Sequence, residues 1–136
     1  VGEYLYEPDV AVLAADLAGW LAEQLGLWSF ASTVGYLTGP DRIDHPALQG
    51  FRVEEVMPYK PKQLAAYLRE RKVGRLEIKQ RLVDIAPEKL RKELKLSGEA
   101  QASLLVTRVE EKRIALVCQR LTPTDKPPGD SDEISV

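Results

Sequence analysis

Three cationic side chains on one short stretch of this chain could bind an anion. Arg75, Lys79 and Arg81 share the same parity, with Glu77 between them. Successive side chains of a strand point to opposite faces, so a strand over residues 73–81 would place all three cations on one face. Three cations on one face repel one another, and Glu77 compensates for only one of the three charges. The phosphates of a nucleic-acid backbone would neutralise the remaining positive charge. The spacing therefore predicts a surface that binds polyanions.

The distribution of charge extends this surface to the flanking segments. From Lys60 to Lys95 there are twelve basic and five acidic residues, whereas the chain before Arg52 has one basic and seven acidic residues, within a net charge of -2. Uneven charge of this kind bears on binding partners rather than on fold. The predicted nucleic-acid-binding residues are Arg75, Lys79, Arg81, Arg71, Lys72, Lys60 and Lys62. The alternative is that the helical cations are solvated and pair with glutamates one turn away.

Residues for catalysis or metal binding are sparse. His45 is the only histidine and has no cysteine cluster near it, so no zinc site is predicted. Cys118 lies among apolar neighbours, which favours an inert buried thiol over a nucleophile. The sequence has neither a Gly-x-Ser-x-Gly elbow nor a Gly-Lys-Ser/Thr phosphate loop. We therefore predict no catalytic residue, no metal and no cofactor in this chain.

Length and composition predict one globular domain. The chain has 136 residues, of which 44% are hydrophobic and 29% charged. No apolar run approaches the roughly 18 residues of a membrane span, and the first residues lack the pattern of a secretory signal. A single cysteine fits a reducing compartment, so we expect a cytoplasmic protein. The chain begins with Val1 rather than Met, which suggests a piece of a larger protein.

Apolar periodicity predicts the elements that position the cations. The predicted elements are helices at Val10–Leu25, Pro61–Lys72 and Pro87–Lys95 and strands at Val34–Thr38, Phe51–Met57, Gly74–Leu82, Ser103–Val109 and Arg113–Leu121. The pair Glu54-Glu55 disturbs the alternation of its strand and predicts a bulge. We expect an α+β fold: a mixed β-sheet with a βαβ unit and a C-terminal antiparallel hairpin, and helices packed on the sheet. Residues 1–121 would form the domain and 122–136 a disordered tail.

Several segments resemble those of the THUMP-like domain. They are Tyr4–Asp9, Gly35–Gly39, Val73–Arg81, Pro87–Arg91 and Leu105–Val109, of which Gly74-Arg75-Leu76-Glu77-Ile78-Lys79 is the most specific. The resemblance covers about residues 3 to 120. The sequence departs from the family pattern at Leu82 and at Glu110-Glu111, where family members often have glycine.

The resemblance implies a role beside an enzyme. Domains of this type usually form the C-terminal part of bacterial class I S-adenosylmethionine-dependent methyltransferases, so the cofactor would bind in an N-terminal domain of the same polypeptide. The partners implied are that domain and RNA, either tRNA or rRNA. With few aromatic residues near the cations, recognition would rest on phosphates and shape. The alternative is a structural or dimerisation domain that packs on the methyltransferase domain without contacting RNA, through the helix Val10–Leu25 or the acidic N-terminal region.

Overall fold

A computed structural model describes residues 2–9, 11, 17–30 and 36–122 of the chain. Within these ranges there are seven strands and three helices. The strands are β1 (Tyr4–Pro8), β2 (Trp28–Phe30), β3 (Tyr36–Gly39), β4 (Leu48–Pro58), β5 (Val73–Gln80), β6 (Ala100–Val109) and β7 (Lys112–Arg120). The helices are α1 (Ala18–Leu25), α2 (Pro61–Glu70) and α3 (Pro87–Leu94). The predicted tail, apart from Thr122, lies outside the described residues.

The strands form one mixed sheet in the order β2-β3-β1-β4-β7-β6-β5. Only the β5–β6 pair among these is parallel, and β6 and β7 form the C-terminal hairpin. Because β4 and β6 both run antiparallel to β7, β4 and β5 point the same way, and α2 joins them as a βαβ unit. The predicted α+β class is confirmed. A second such unit, β5–α3–β6, was not predicted.

Local sequence explains where the second and third helices begin and end. Pro61 and Pro87 occupy the first position of α2 and α3, where the missing N–H costs nothing. Lys72 and Lys95 have positive φ values of 60° and 51°, and a left-handed residue ends a helix. Both helices therefore stop short of the predicted ends. The register shift between Val53 and Glu55 confirms the predicted bulge.

Both faces of the central strands are buried. Toward α2 and α3 they present a cluster that includes Leu64, Leu68, Leu90, Leu94, Leu104 and Val106. On the other side, here called the far face, lies a cluster of Leu5, Tyr36, Phe51, Leu105, Leu116 and Cys118. Apolar residues stand on both parities of β6 and β7, as in central strands that are covered on two sides. A third cluster joins α1 to Tyr6 and Leu37.

The N-terminal third differs most from the expectation. Tyr4–Pro8 was not predicted as a strand, yet β1 lies between β3 and β4 and has buried side chains on both parities. β4 begins at Leu48, three residues before the predicted strand Phe51–Met57. The first part of the predicted helix Val10–Leu25 falls largely outside the described residues, while its last part is α1, which ends at Gly26 with a φ of 71°. Among the described residues, no helix is long and apolar enough to cross a membrane.

Candidate nucleic-acid interface

Strand β5 separates its apolar and charged residues as the alternation predicts. Leu76 is buried and packs in the cluster beneath α2 and α3. Arg75, Glu77 and Lys79 alternate with it and therefore point to the far face. Among the described residues β5 is the last strand of the sheet, so these side chains lie beside its edge.

Glu7 binds two of the predicted cations. Its carboxylate oxygens lie 2.9 Å from Lys79 Nζ and 2.9 Å from Arg81 Nη2, and its side chain is only 16% exposed. The Arg81 guanidinium also lies 5.7 Å from the centre of the Tyr36 ring. Three strands separate β1 from β5 in the sheet, so the sheet must curl for these contacts to form.

The carboxylate of Glu7 is stabilised in its ionised form. Burial raises the pKa of Glu7, but hydrogen bonds and charges from Lys79 and Arg81 outweigh it, so the net pKa lies below its ordinary value. Lys79 and Arg81 are thus partly neutralised inside the protein, and a phosphate would have to compete with Glu7 for them.

Arg75 has a different environment. It is exposed and, within the described residues, has neither an ion pair nor a side-chain hydrogen bond. It lines a groove of about 510 Å³ together with Arg91 and Arg120. Glu77, in the same groove, accepts hydrogen bonds from Arg120 Nη1 at 2.6 Å and from Ser103 Oγ at 2.9 Å.

Arg71 and Lys72 lie in the turn between α2 and β5, close to where β5 begins. They line a second groove of about 710 Å³. The Arg71 guanidinium stacks 3.6 Å from the centre of the Tyr67 ring and lies 3.6 Å from the exposed carboxylate of Glu70. A pair of this kind on the surface contributes little to stability and leaves the guanidinium accessible.

A third groove, of about 540 Å³, shares residues with the other two and makes them continuous. We call this region the basic strip. Its cations are Arg52, Arg69, Arg71, Lys72, Arg75, Arg91 and Arg120, and its carboxylates are Glu54, Glu77 and Glu99. Among the described residues, seven cations thus line these grooves with three carboxylates at the end of the sheet where β5 and β6 begin, and Glu70 and Glu88 pair with Arg71 and Arg91 from outside the lining.

Two glycines allow the strip to form. A Cβ atom on Gly74 would lie 1.7 Å from the carbonyl oxygen of Gly98, and a Cβ on Gly98 would lie 1.9 Å from the carbonyl oxygen of Lys72. Only glycine permits backbones to approach so closely. The turn after α2 therefore lies directly against the loop that leads into β6.

The seven predicted residues fall into three groups. Arg71, Lys72 and Arg75 are together in the basic strip, whereas Lys79 and Arg81 lie at the other end of β5 with Glu7. Lys60 and Lys62 stand at the start of α2, roughly 15 Å along the helix axis from Arg71 and Lys72. The sequence hypothesis of one continuous patch holds only for the first group.

Four arginines of the strip were not predicted: Arg52, Arg69, Arg91 and Arg120. Arg69 donates two hydrogen bonds to the Leu94 carbonyl, and Arg91 donates one to the Leu76 carbonyl. Arg52 and Arg120 are distant in sequence and join the strip through strand pairing. Knowledge of the β5–β6–β7 register would have identified Arg120.

The remaining reactive side chains have ordinary surroundings. His45 Nδ1 accepts a hydrogen bond from the Ala47 N–H at 3.0 Å. Cys118 is buried, and burial raises the pKa of its thiol to about 12. In the parts of the chain that the structure describes, no three histidine, cysteine, aspartate or glutamate side chains form a cluster that could hold a metal ion.

Exposed apolar residues form a separate feature on and beside α1. Trp20 is 58% exposed, and Leu17 lies one helical turn before it with 46% exposure. Trp28, 49% exposed, lies on β2, which contacts α1. Large apolar side chains that are exposed on neighbouring elements are a feature of surfaces that contact another protein.

Comparisons with known proteins place the chain among domains found in methyltransferases. Residues 48–120 match the family described as THUMP domain-like. An uncharacterised S-adenosylmethionine-dependent methyltransferase of Mycobacterium tuberculosis, from the strains CDC 1551 and H37Rv, is 35% identical over 108 residues. That match covers 79% of this chain and 30% of the relative, so the chain spans less than a third of the length of these relatives.

A solved structure has the same fold. The crystal structure of a proposed methyltransferase from Porphyromonas gingivalis W83 superposes with a TM-score of 0.73 at 23% sequence identity. The superposition covers 90% of this chain and 30% of that protein.

Proposed function

The chain belongs to the THUMP domain-like family, and from that premise we propose that it is an RNA-binding accessory domain of an S-adenosylmethionine-dependent methyltransferase. The resemblance predicted from the sequence is confirmed by the family match. In this proposal the domain holds tRNA or rRNA for a methyltransferase domain of the same polypeptide, in the cytoplasm. The methyltransferase domain would bind S-adenosylmethionine and carry out the methyl transfer.

The basic strip is the observation that supports RNA binding. Seven cations line three continuous grooves with three carboxylates, and Arg71 and Arg75 are exposed. Cations that follow a groove can neutralise successive phosphates of a nucleic-acid backbone. Lys79 and Arg81 contribute less in this proposal, because Glu7 already binds them.

Recognition would rest mainly on phosphates. Tyr67 has Arg71 stacked on its ring, and Tyr59 is partly buried against the helix-side core, so neither offers an open face for a base. Affinity should therefore fall steeply with salt, with a slope of roughly 0.7 per phosphate contacted on single-stranded RNA.

A titration of the full chain with a fluorescent, structured RNA fragment tests the proposal. The variant R71Q/K72Q/R75Q should lose about tenfold in affinity at 0.1 M salt and show a shallower salt slope, because phosphate contacts are removed. The control K89Q/K92Q/K112Q removes the same charge from exposed positions outside the strip and should stay within about twofold. Equal losses in both variants, or no RNA binding by the wild type, would contradict the proposal.

A second candidate function is domain docking, which the exposed residues Leu17, Trp20 and Trp28 favour. In this reading the apolar surface packs on the methyltransferase domain, and RNA is not contacted. Trp20→Ser with Trp28→Ser should then weaken association with a separately expressed methyltransferase domain of the same protein by at least tenfold. The same variant should leave the RNA titration unchanged if RNA binds at the basic strip.

A further inference from the structure

We propose that Arg75, Gln101 and Arg120 form a phosphate-binding site that anchors one phosphodiester of RNA. This inference rests on the proposed function, since it names the point within the basic strip where the backbone is held. It assigns a role to Gln101 and Arg120, which the sequence did not suggest.

Strand pairing aligns these three residues across the far face. Arg75 of β5 is the register partner of Gln101 of β6. The last register pair of β6 and β7 is Ser103 with Cys118. Extending that register by two residues would set Arg120 opposite Gln101, and both residues line the same groove. Neighbouring strands are about 4.8 Å apart, so the Cα atoms of the two arginines are roughly 10 Å apart. Two arginine side chains at that distance can converge on one phosphate above Gln101.

Arg120 is held in position before any ligand arrives. Its Nη1 donates to Glu77 Oε2 at 2.6 Å, while Ser103 Oγ holds the other Glu77 oxygen at 2.9 Å. The guanidinium also lies 5.9 Å from the centre of the Phe51 ring. A guanidinium carries five N–H donors, and this ion pair uses only one nitrogen. The Arg120 side chain is 46% exposed, whereas that of Arg81, which also pairs with a carboxylate through one nitrogen, is 27% exposed, so the remaining donors of Arg120 are more open to a ligand. The ion pair has already reduced the conformational freedom of Arg120.

The groove has the charge and hydrogen-bonding groups that a phosphodiester needs. Arg75, Arg91 and Arg120 line it together with Glu77, and Glu88 lies 3.7 Å from Arg91 just outside the lining, which leaves an excess of one positive charge among the described residues. The side-chain amide of Gln101 makes no hydrogen bond to any described residue and can donate to a phosphate oxygen. A volume of about 510 Å³ accommodates a phosphate with part of its sugar.

The site at Glu7 offers a contrast within the same sheet. There the two cations Lys79 and Arg81 already share a carboxylate, each at 2.9 Å. Binding a phosphate at that position would require the displacement of a partly buried ion pair, whereas Arg75 has no ion pair with another described residue to break. Anion binding should therefore begin at the groove of Arg75 and Arg120.

Nuclear magnetic resonance of the full chain provides the test. Inorganic phosphate and a 5′-phosphorylated oligouridine are titrated while the side-chain Nε–Hε signals of the arginines are followed, with unphosphorylated uridine as the neutral probe. We expect shifts at Arg75 and Arg120 with both phosphorylated probes and none with uridine. The variant R75Q/R120Q should bind the oligouridine at least tenfold more weakly, whereas K89Q/K92Q, with the same loss of charge, should stay within about twofold.

The outcomes separate this inference from the proposed function. If R75Q/R120Q keeps its affinity while R71Q/K72Q loses it, the anchor is wrong and RNA binding stands. If inorganic phosphate shifts Arg75 and Arg120 but no RNA binds to the wild type, the anion site stands and the proposed function fails. If Arg120→Gln disturbs folding by releasing Glu77, the single variant Arg75→Gln decides the question, because the Arg75 side chain has no ion pair or hydrogen bond with any described residue. Unchanged RNA affinity of that variant overturns the anchor.

Discussion

Replacing Glu7 with Gln should destabilise the domain measurably, although the change removes no atom from the core. Glu7 lies on β1 and forms ion pairs with Lys79 and Arg81, which lie three intervening strands away in the sheet. This tertiary contact links the two sides of the sheet. Glutamine has nearly the same shape but carries no charge. The variant would leave two neighbouring cations facing each other without a counter-charge.

The magnitude follows from the burial of the three side chains. Exposed ion pairs contribute about 0.2–1 kcal/mol, and breaking a fully buried pair costs about 3–5 kcal/mol. The side chain of Glu7 is 16% exposed, that of Lys79 28% and that of Arg81 27%, so these ion pairs are neither fully exposed nor fully buried. Their contribution should lie between the two energies. We expect the free energy of unfolding at pH 7 to fall by about 2 kcal/mol, which corresponds to a loss of roughly 7 °C in Tm for a domain of this size.

The dependence on pH identifies the cause. The pKa of Glu7 is lower in the folded protein than its ordinary value of 4.5, so its contribution to stability is complete above pH 4.5 and is lost as pH falls through the folded pKa. The difference in stability between wild type and Glu7→Gln should therefore be largest near pH 7 and vanish at pH values below the folded pKa.

Urea denaturation at a series of pH values measures this difference. Glu111→Gln removes an exposed carboxylate at the hairpin turn and serves as the control, with an expected change below about 0.5 kcal/mol. A difference between Glu7→Gln and wild type that is the same at pH 7 and pH 3, or that is no larger than the control, would refute the assignment of an ion pair that stabilises the curled sheet.

Three further predictions concern backbone and burial. Lys95→Gly and Glu110→Gly should each raise the free energy of unfolding by about 1 kcal/mol, because both residues are exposed and have positive φ, which glycine adopts without strain. Thermal melts measure the change, and a loss of stability in both variants would contradict the prediction. Gly74→Ala should prevent normal packing, since its Cβ would lie 1.7 Å from the Gly98 carbonyl oxygen; a native melting temperature for this variant would show that the two backbones are not in contact. Cys118 is buried and the pKa of its thiol is about 12, so it should react with iodoacetamide at pH 8 only after the chain is unfolded by urea. Fast labelling of the folded chain would contradict the burial of Cys118.

The sequence identified the elements of the C-terminal two thirds because their patterns are local. Prolines at the starts of α2 and α3, alternation along β5 and apolar residues on both parities of β6 and β7 each report the environment of the segment that carries them. The same reasoning failed for β1, a five-residue strand whose neighbours β3 and β4 come from later in the chain. Its position depends on long-range pairing, which a short pattern does not encode.

Residue types alone determined that this chain carries cations in excess near β5 and that those on β5 share one face. Only the tertiary structure decided which of them remain available, because availability depends on carboxylates that are distant in the sequence. Glu7 comes from 72 and 74 positions away to bind Lys79 and Arg81, while Arg120, on a strand two positions across the sheet, lines the same groove as Arg75. Charge is a property of each residue, but its compensation is a property of the fold, since Coulomb attraction acts over a few ångströms in space whatever the separation along the chain.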